Sequence, residues 1–368
     1  MFAFLLIGIT LQFAGVPSAA ASELKYARNF QIQEQDGYRL ITVSQPYEGA
    51  GDVQYRYVLY PRGSERPLSV QADAYVEVPV RRAIVLSTTF LAALDILDAE
   101  DQLVGVGAHR YVNTPSVLER IADGHIIEVG SETMKNLELM VSAEPEVIFT
   151  NIVGSPDYDI HPGLDAMGIA SVITAAYMER NLLARAEWIK FLAAFFGNES
   201  AAIAHFDAVE ARYLTLREQV ESIAERPSVL ANVPWGNVWY IPSGTSFLAN
   251  LIRDAGGEYL WSDLHTEGPA PMDFESVYAR AIDAEVWINC GYLNTLDAMR
   301  AQDERYLDFR AVKAGRIFSE TGRVGEGGGN DIWERGFAWP DEILADVVHM
   351  LHPDLLPEHE LIYYRWVR

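Results

Sequence analysis

Residues 83–97, AIVLSTTFLAALDIL, decide the fold: a short apolar run of strand length passes through Ser87, Thr88 and Thr89 into a helical pattern. The same rhythm recurs downstream. QLVGVG (102–107) precedes SVLERIA (116–122), IIEVG (126–130) precedes NLELMVS (136–142), EVIFT (146–150) precedes PGLDAMG (162–168), and ASVITAA (170–176) follows. Strand, helix and strand with short links predict a parallel sheet covered by helices. Upstream, FQIQEQ, an Asp36-Gly37 turn, YRLITV, a loop with Pro46, Gly49 and Gly51, and VQYRYVLY alternate as strands do and predict an antiparallel meander. Downstream, Glu179 to Glu225 reads as helix, broken only near Gly197-Asn198, and the strand-helix rhythm restarts after Pro227 with SVLANV, VWYI, SFLANLIRDAG, SVYARAI, EVWIN and RIFS.

The predicted fold class is therefore α/β: two Rossmann-like lobes with central parallel sheets, joined by a long linker helix, plus an N-terminal antiparallel β extension. The expected divisions are 1–21 (leader), 22–80 (extension), 81–178 (first lobe), 179–226 (linker helix and following helix) and 227–368 (second lobe). The segment Glu179 to Phe196, with Leu182, Leu183, Ala186, Ile189 and Leu192-Ala193 on one face, is expected to be a stiff strut between the lobes.

At 368 residues the chain is long for one domain, in line with two lobes. A 49% hydrophobic content excludes a disordered tail. Lysine and arginine number 28 against 52 acidic residues, and the net charge of -24 disfavours nucleic-acid partners. Cys290 is the only cysteine, so neither an intrachain disulfide nor a four-cysteine metal site can form. The run FAFLLIGITLQFAG (2–15), followed by Pro17 and Ser18-Ala19-Ala20-Ala21, reads as a signal peptide cleaved near Ala21. No cysteine follows it, which predicts a periplasmic protein free of a lipid anchor, not a lipoprotein.

Enzyme signatures are absent: the chain has no GxxxxGK[ST] loop, HExxH helix or GxSxG elbow. His349, His352 and His359 cluster near the C-terminus without a second ligand group, so no metal site is assigned. What remains lies at strand ends, where open α/β sheets bind ligands. These are Thr88, Thr89, His109, Arg110, Tyr111, Asn151 and Tyr177 in the first lobe, and Trp235, Trp239, Tyr292, Arg323, Asn330 and Trp333 in the second. Aromatic rings offer flat contact and arginine holds anionic groups, although any one of these rings serves packing as readily as binding. The run Gly325-Glu326-Gly327-Gly328-Gly329 reads as a loop whose backbone closely approaches either a ligand or the other lobe.

With these residues in view, the chain resembles the periplasmic substrate-binding proteins of ABC importers for vitamin B12, iron-siderophores and haem. The resemblance rests on AIVLSTTFLAALDIL with QLVGVG, on VGSETMKNLELMVSAEPEVIFTN, on ARAEWIKFLAAFFG and on PMDFESVYARAIDAEVWINCG, and covers roughly residues 80–355. It implies a monomer that binds without turnover, carries no cofactor of its own, and holds a small-molecule metal chelate between its lobes. The resemblance also implies an ABC importer permease as partner, docked by Glu138 on one lobe and Glu275 on the other. An iron-siderophore is the leading ligand. Cobalamin, stacked on rings such as Trp235 and Tyr292, is an alternative, as is haem with Tyr177 or His109 as axial ligand; an exported enzyme on the same fold is the alternative of a different class.

Overall fold

The computed structural model describes residues 23–131 and 134–368, so the leader expected at 1–21 lies outside the described residues. In the first lobe Ala83–Val85 is central. Leu103–Val106 and then Ile127–Glu128 lie on one side, Val147–Thr150 and then Ser171–Ile173 on the other, all parallel. Ala83–Val85 and Val147–Thr150 are buried on both faces, which is why they read as unbroken apolar runs and not as alternating ones. Because the lobe's first strand is central, the connections leave it in both directions and a crevice opens at the C-terminal ends of these two strands.

The second lobe repeats the plan on a smaller sheet, Glu258–Tyr259, Ser228–Ala231 and Val286–Ile288, again parallel, with Ile317 bridged to Trp287. One segment departs from the sequence reading. Trp239–Ile241 does not join this sheet but pairs antiparallel with Ala270–Met272 in a side ribbon. Pro271, which cannot donate into a ladder, suits such an edge.

The extension forms the expected meander, Phe30–Gln35, Tyr38–Ser44 and Gln54–Pro61, but a fourth strand, Ala74–Val78, adds parallel to the last. The sheet is built into the first lobe. Phe30 packs at 4.7 Å on Trp188, and the fully buried Tyr57 accepts a 2.7 Å hydrogen bond at its hydroxyl from the Ile173 amide on the sheet's edge strand.

Between the lobes the expected strut is two pieces, Leu182–Ala186 and Trp188–Phe196. Every residue of the second piece is buried, and its apolar side chains belong to the first-lobe core, so it cannot span the gap. The spanning element is the 23-residue helix Glu199–Glu221, about 35 Å long at roughly 1.5 Å per residue. It gives Ala202 and Phe206 to the first-lobe core and Val209, Tyr213 and Val220 to the second.

Candidate functional site

A cavity of about 120 Å³ lies between the lobes. The first lobe and linker supply Thr89, Tyr177, Leu182 and Arg185; the second supplies Phe247, Leu251, Asn289, Glu320, Trp333 and Tyr364. Its wall is mainly apolar, and most of its polar atoms are already engaged. The Tyr177 hydroxyl is turned to the carbonyls of Ile152 (2.8 Å) and Pro46 (3.1 Å), and burial pushes its pKa up to about 12. Tyr364 donates to Asn289 Oδ1 at 2.8 Å, and the Asn289 amide turns to Asn232.

Arg185 and Glu320 are bonded to neighbours but have no ion-pair partner among the described residues. Arg185 Nε and Nη2 donate to the carbonyls of Glu179 (3.2 Å) and Tyr177 (2.8 Å), and its guanidinium lies 3.8 Å over the Phe247 ring. Burial pulls its pKa down to about 10, with Glu179 opposing. Glu320 accepts the Gly291 amide at 3.0 Å, and burial raises its pKa.

Three contacts close the lobes around this cavity. Glu334, fully buried, accepts the amides of Asn113 (3.0 Å) and Thr114 (2.6 Å) and the Thr114 hydroxyl. Burial drives its carboxyl up to about 7 despite those bonds. Gly327 and Gly329 lie so close to the carbonyls of Arg110 and Tyr111 that any side chain there would collide. The glycine-rich loop thus meets the other lobe. From the extension, Pro46 reaches Tyr177, and Glu48 covers Gly268 of the second lobe, where an added Cβ would lie 2.7 Å from its carboxylate.

Residues 84–322 match the periplasmic binding protein family. The chain belongs to that family. An uncharacterized lipoprotein of Methanocaldococcus jannaschii is 28% identical to this binding protein over 361 residues, 90% of this chain and 82% of its own. A second uncharacterized lipoprotein of that organism is 25% identical over 363 residues, covering 95% and 88%. Among solved structures, a periplasmic haem-binding protein from Pseudomonas aeruginosa shares the fold with a TM-score of 0.59 at 18% identity, covering 78% of this chain and 98% of its own. The periplasmic vitamin B12 binding protein of Vibrio cholerae does so with a TM-score of 0.54 at 15% identity, covering 76% and 99%. Membership in a binding-protein family agrees with the reading that the chain is not an enzyme.

One expectation is overturned. The expectation of a protein free in the periplasm and not a lipoprotein does not hold, because these two curated relatives are named lipoproteins. No helix among the described residues is long and apolar enough to cross a membrane.

Of the residues singled out from sequence, Thr89, Tyr177 and Trp333 line the cavity, and Thr88 is not among its lining residues. Trp239 does not line it either: it is 1% exposed, faces Trp287 at 5.7 Å and donates to the Ala231 carbonyl, because its ribbon turns it into the second-lobe core. Trp235 is 78% exposed outside the cavity, and the Tyr292 hydroxyl donates to the carbonyl of the preceding Pro234 at 2.8 Å. Arg110 stacks on Tyr111, and His109 donates its amide to Glu128. Arg323 pairs with Asp331 at 2.7 Å, and Asn330 donates to the Glu320 carbonyl, so both shape the loop that carries Glu320. Asn151 is half-buried and takes the Thr150 hydroxyl on its carbonyl. His349, His352 and His359 bond to Leu356 O, Gly256 O and Asp346 respectively.

Arg185, Glu320 and Glu334 were not singled out. Arg185 carried a readable signal, since it stands three residues after Leu182 on the face of an otherwise apolar stripe. Glu138 and Glu275 each lie in the first turn of a helix, Leu137–Ser142 and Phe274–Ala281, and both are exposed. Glu275 pairs with Arg305 at 3.1 Å.

Proposed function

We propose that this binding protein captures a metal chelate of the iron-siderophore, haem or corrinoid kind between its lobes and delivers it to the permease of an ABC importer. The observation that carries the reading is the cavity at the carboxyl ends of both parallel sheets, lined from both lobes by Tyr177, Arg185, Glu320 and Trp333. The haem-binding and vitamin B12 binding names of the two structures of like fold support this ligand class. Glu138 and Glu275 are the proposed permease contacts, and the names of the relatives support a lipid-anchored carrier. Sites for drug-sized ligands run to roughly 300–1,000 Å³. A cavity of about 120 Å³ therefore receives one arm of such a chelate while the lobes are together.

A corrinoid is favoured by one separate feature, the exposed ring of Trp235, next in the chain to the Pro234 carbonyl that takes the Tyr292 hydroxyl. The test is absorbance and mass spectrometry of whatever co-purifies, followed by titration with haemin, cyanocobalamin and a ferric hydroxamate while tryptophan fluorescence is followed. Binding of one of them at one-to-one stoichiometry is expected; failure of all three defeats the reading.

A further inference from the structure

Arg185 and Glu320 face one cavity without pairing with each other. Among the described residues Arg185 forms no ion pair, in a chain with 52 acidic residues. Its electrostatic counterweight, Glu179, is committed elsewhere, to the amides of Arg28 and Asn29 and to the Trp188 indole. Two backbone carbonyls and the Phe247 ring fix the guanidinium plane, and Nη1 is left without a hydrogen bond. Glu320 likewise has no cation beside it; Gly291 holds one carboxylate oxygen, and Asn330 positions its backbone. Holding unlike charges apart in a half-buried site forfeits their attraction and leaves both partly desolvated, which is costly unless something else pairs with them.

We propose that the part of the ligand entering this cavity is bipolar: a carboxylate or similar planar anion held by Arg185, and an ammonium or hydroxyl donor held by Glu320, joined by an apolar segment against Phe247, Leu251 and Trp333. This rests on the carrier reading, because it concerns the same cavity. Arginine suits a planar anion held in fixed geometry, and the apolar wall strengthens both charge-assisted bonds by excluding water. The competing account is that Arg185 only props the carbonyls of Tyr177 and Glu179. Such a prop has no reason to share a cavity with an unpaired carboxylate.

The test uses the full chain and three five-carbon probes, 5-aminopentanoate, pentanoate and pentylamine, followed by thermal shift and by tryptophan fluorescence. The aminopentanoate should bind at least about tenfold more tightly than either single-headed probe, as one charge-assisted bond allows. R185Q should abolish the response to both carboxylates. E320Q should weaken aminopentanoate and pentylamine while leaving pentanoate unchanged, and R185K, which keeps the charge, should retain part of the carboxylate response. Equal binding of the three, no response to any, or indifference to R185Q and E320Q overturns the proposal. Failure of the carrier reading looks different: haemin, cyanocobalamin and the ferric hydroxamate do not bind, yet the small probes still depend on Arg185 and Glu320. Tight binding of one of those chelates, unaltered in both variants, removes the bipolar assignment alone.

Discussion

Glu334 of the second lobe caps a helix of the first: its carboxylate takes the amide of Thr114, the residue immediately before helix Pro115–Ala122, at 2.6 Å, and the Thr114 hydroxyl as well. Thr114 spends no side-chain bond on capping its own helix, and its amide, with that of Asn113 before it, is satisfied across the lobe boundary. A residue in the segment that leads back to the C-terminus therefore locks the two halves together.

Replacing Glu334 by alanine should cost about 1–3 kcal/mol, the penalty for leaving buried amides unpaired, and should speed hydrogen exchange at Asn113 and Thr114. The pH dependence has a definite sign. Because burial raises the folded pKa from 4.5 to about 7, the folded state binds more protons than the unfolded state between those values. The Glu334 contribution to stability is thus fully present below about pH 4.5 and is lost as pH rises through 7. Denaturant titrations of wild type and E334Q across pH 4.5–7 should differ in slope, with the variant flatter; parallel curves would refute the assignment.

Gly327 and Gly329 lock the same boundary by shape. Neither has a positive φ, so it is the nearness of the Arg110 and Tyr111 carbonyls, not backbone strain, that demands glycine. Gly327→Ala should push the loop off the first lobe, enlarge the radius of gyration measured by X-ray scattering and shorten the residence time of any bound chelate. An unchanged scattering curve would mean that the loop yields locally and does not hold the lobes.

The parallel sheets were legible because their central strands are apolar on both faces, as Ala83–Val85 shows, and because each hands over to a helix within a few residues. The cleft was legible only in part. Tyr177 and Trp333 follow from strand and loop ends, but Trp239 turns into the core because antiparallel pairing with Ala270–Met272 decides which way its ring points, and no local pattern encodes that pairing. Glu334 and Thr114 are 220 residues apart, and a carboxylate beside a glycine-rich loop looks solvated until the opposite lobe is in place.

The spanning helix Glu199–Glu221 should govern how the halves move. Phe206, fully buried where the helix meets the first-lobe core, sits 4.6 Å from the Lys190 ammonium and packs on Tyr26. Phe206→Ala should destabilise the fold by about 3–5 kcal/mol, the usual cost of emptying a large core site. Tyr213, whose hydroxyl donates to Asp254 at 2.8 Å, anchors the other end. If the helix is a rigid strut, Phe206→Ala lowers the stability of both lobes together in one cooperative transition. Two separate transitions would show that it transmits nothing between them.

Docking supplies the sharpest separation between structure and function. Glu275 is 73% exposed and held by Arg305, which also grips Asp303 and lies 3.9 Å over the Phe274 ring; Glu138 is exposed with no such partner among the described residues. An exposed, solvent-screened pair of this kind adds little to stability, so neither glutamate is needed for folding. If both face basic residues of a permease, E138A/E275A leaves chelate affinity and thermal stability nearly unchanged while sharply lowering uptake and ATPase stimulation in reconstituted importer vesicles. The effect should be largest at low salt, because such charges act through encounter. Arg305→Ala distinguishes docking from local support, since it frees the Glu275 carboxylate: docking predicts association as fast as wild type or faster. A loss in R305A matching that in the double variant would mean that the exposed cluster around Phe274, and not the negative charge, is what the permease senses.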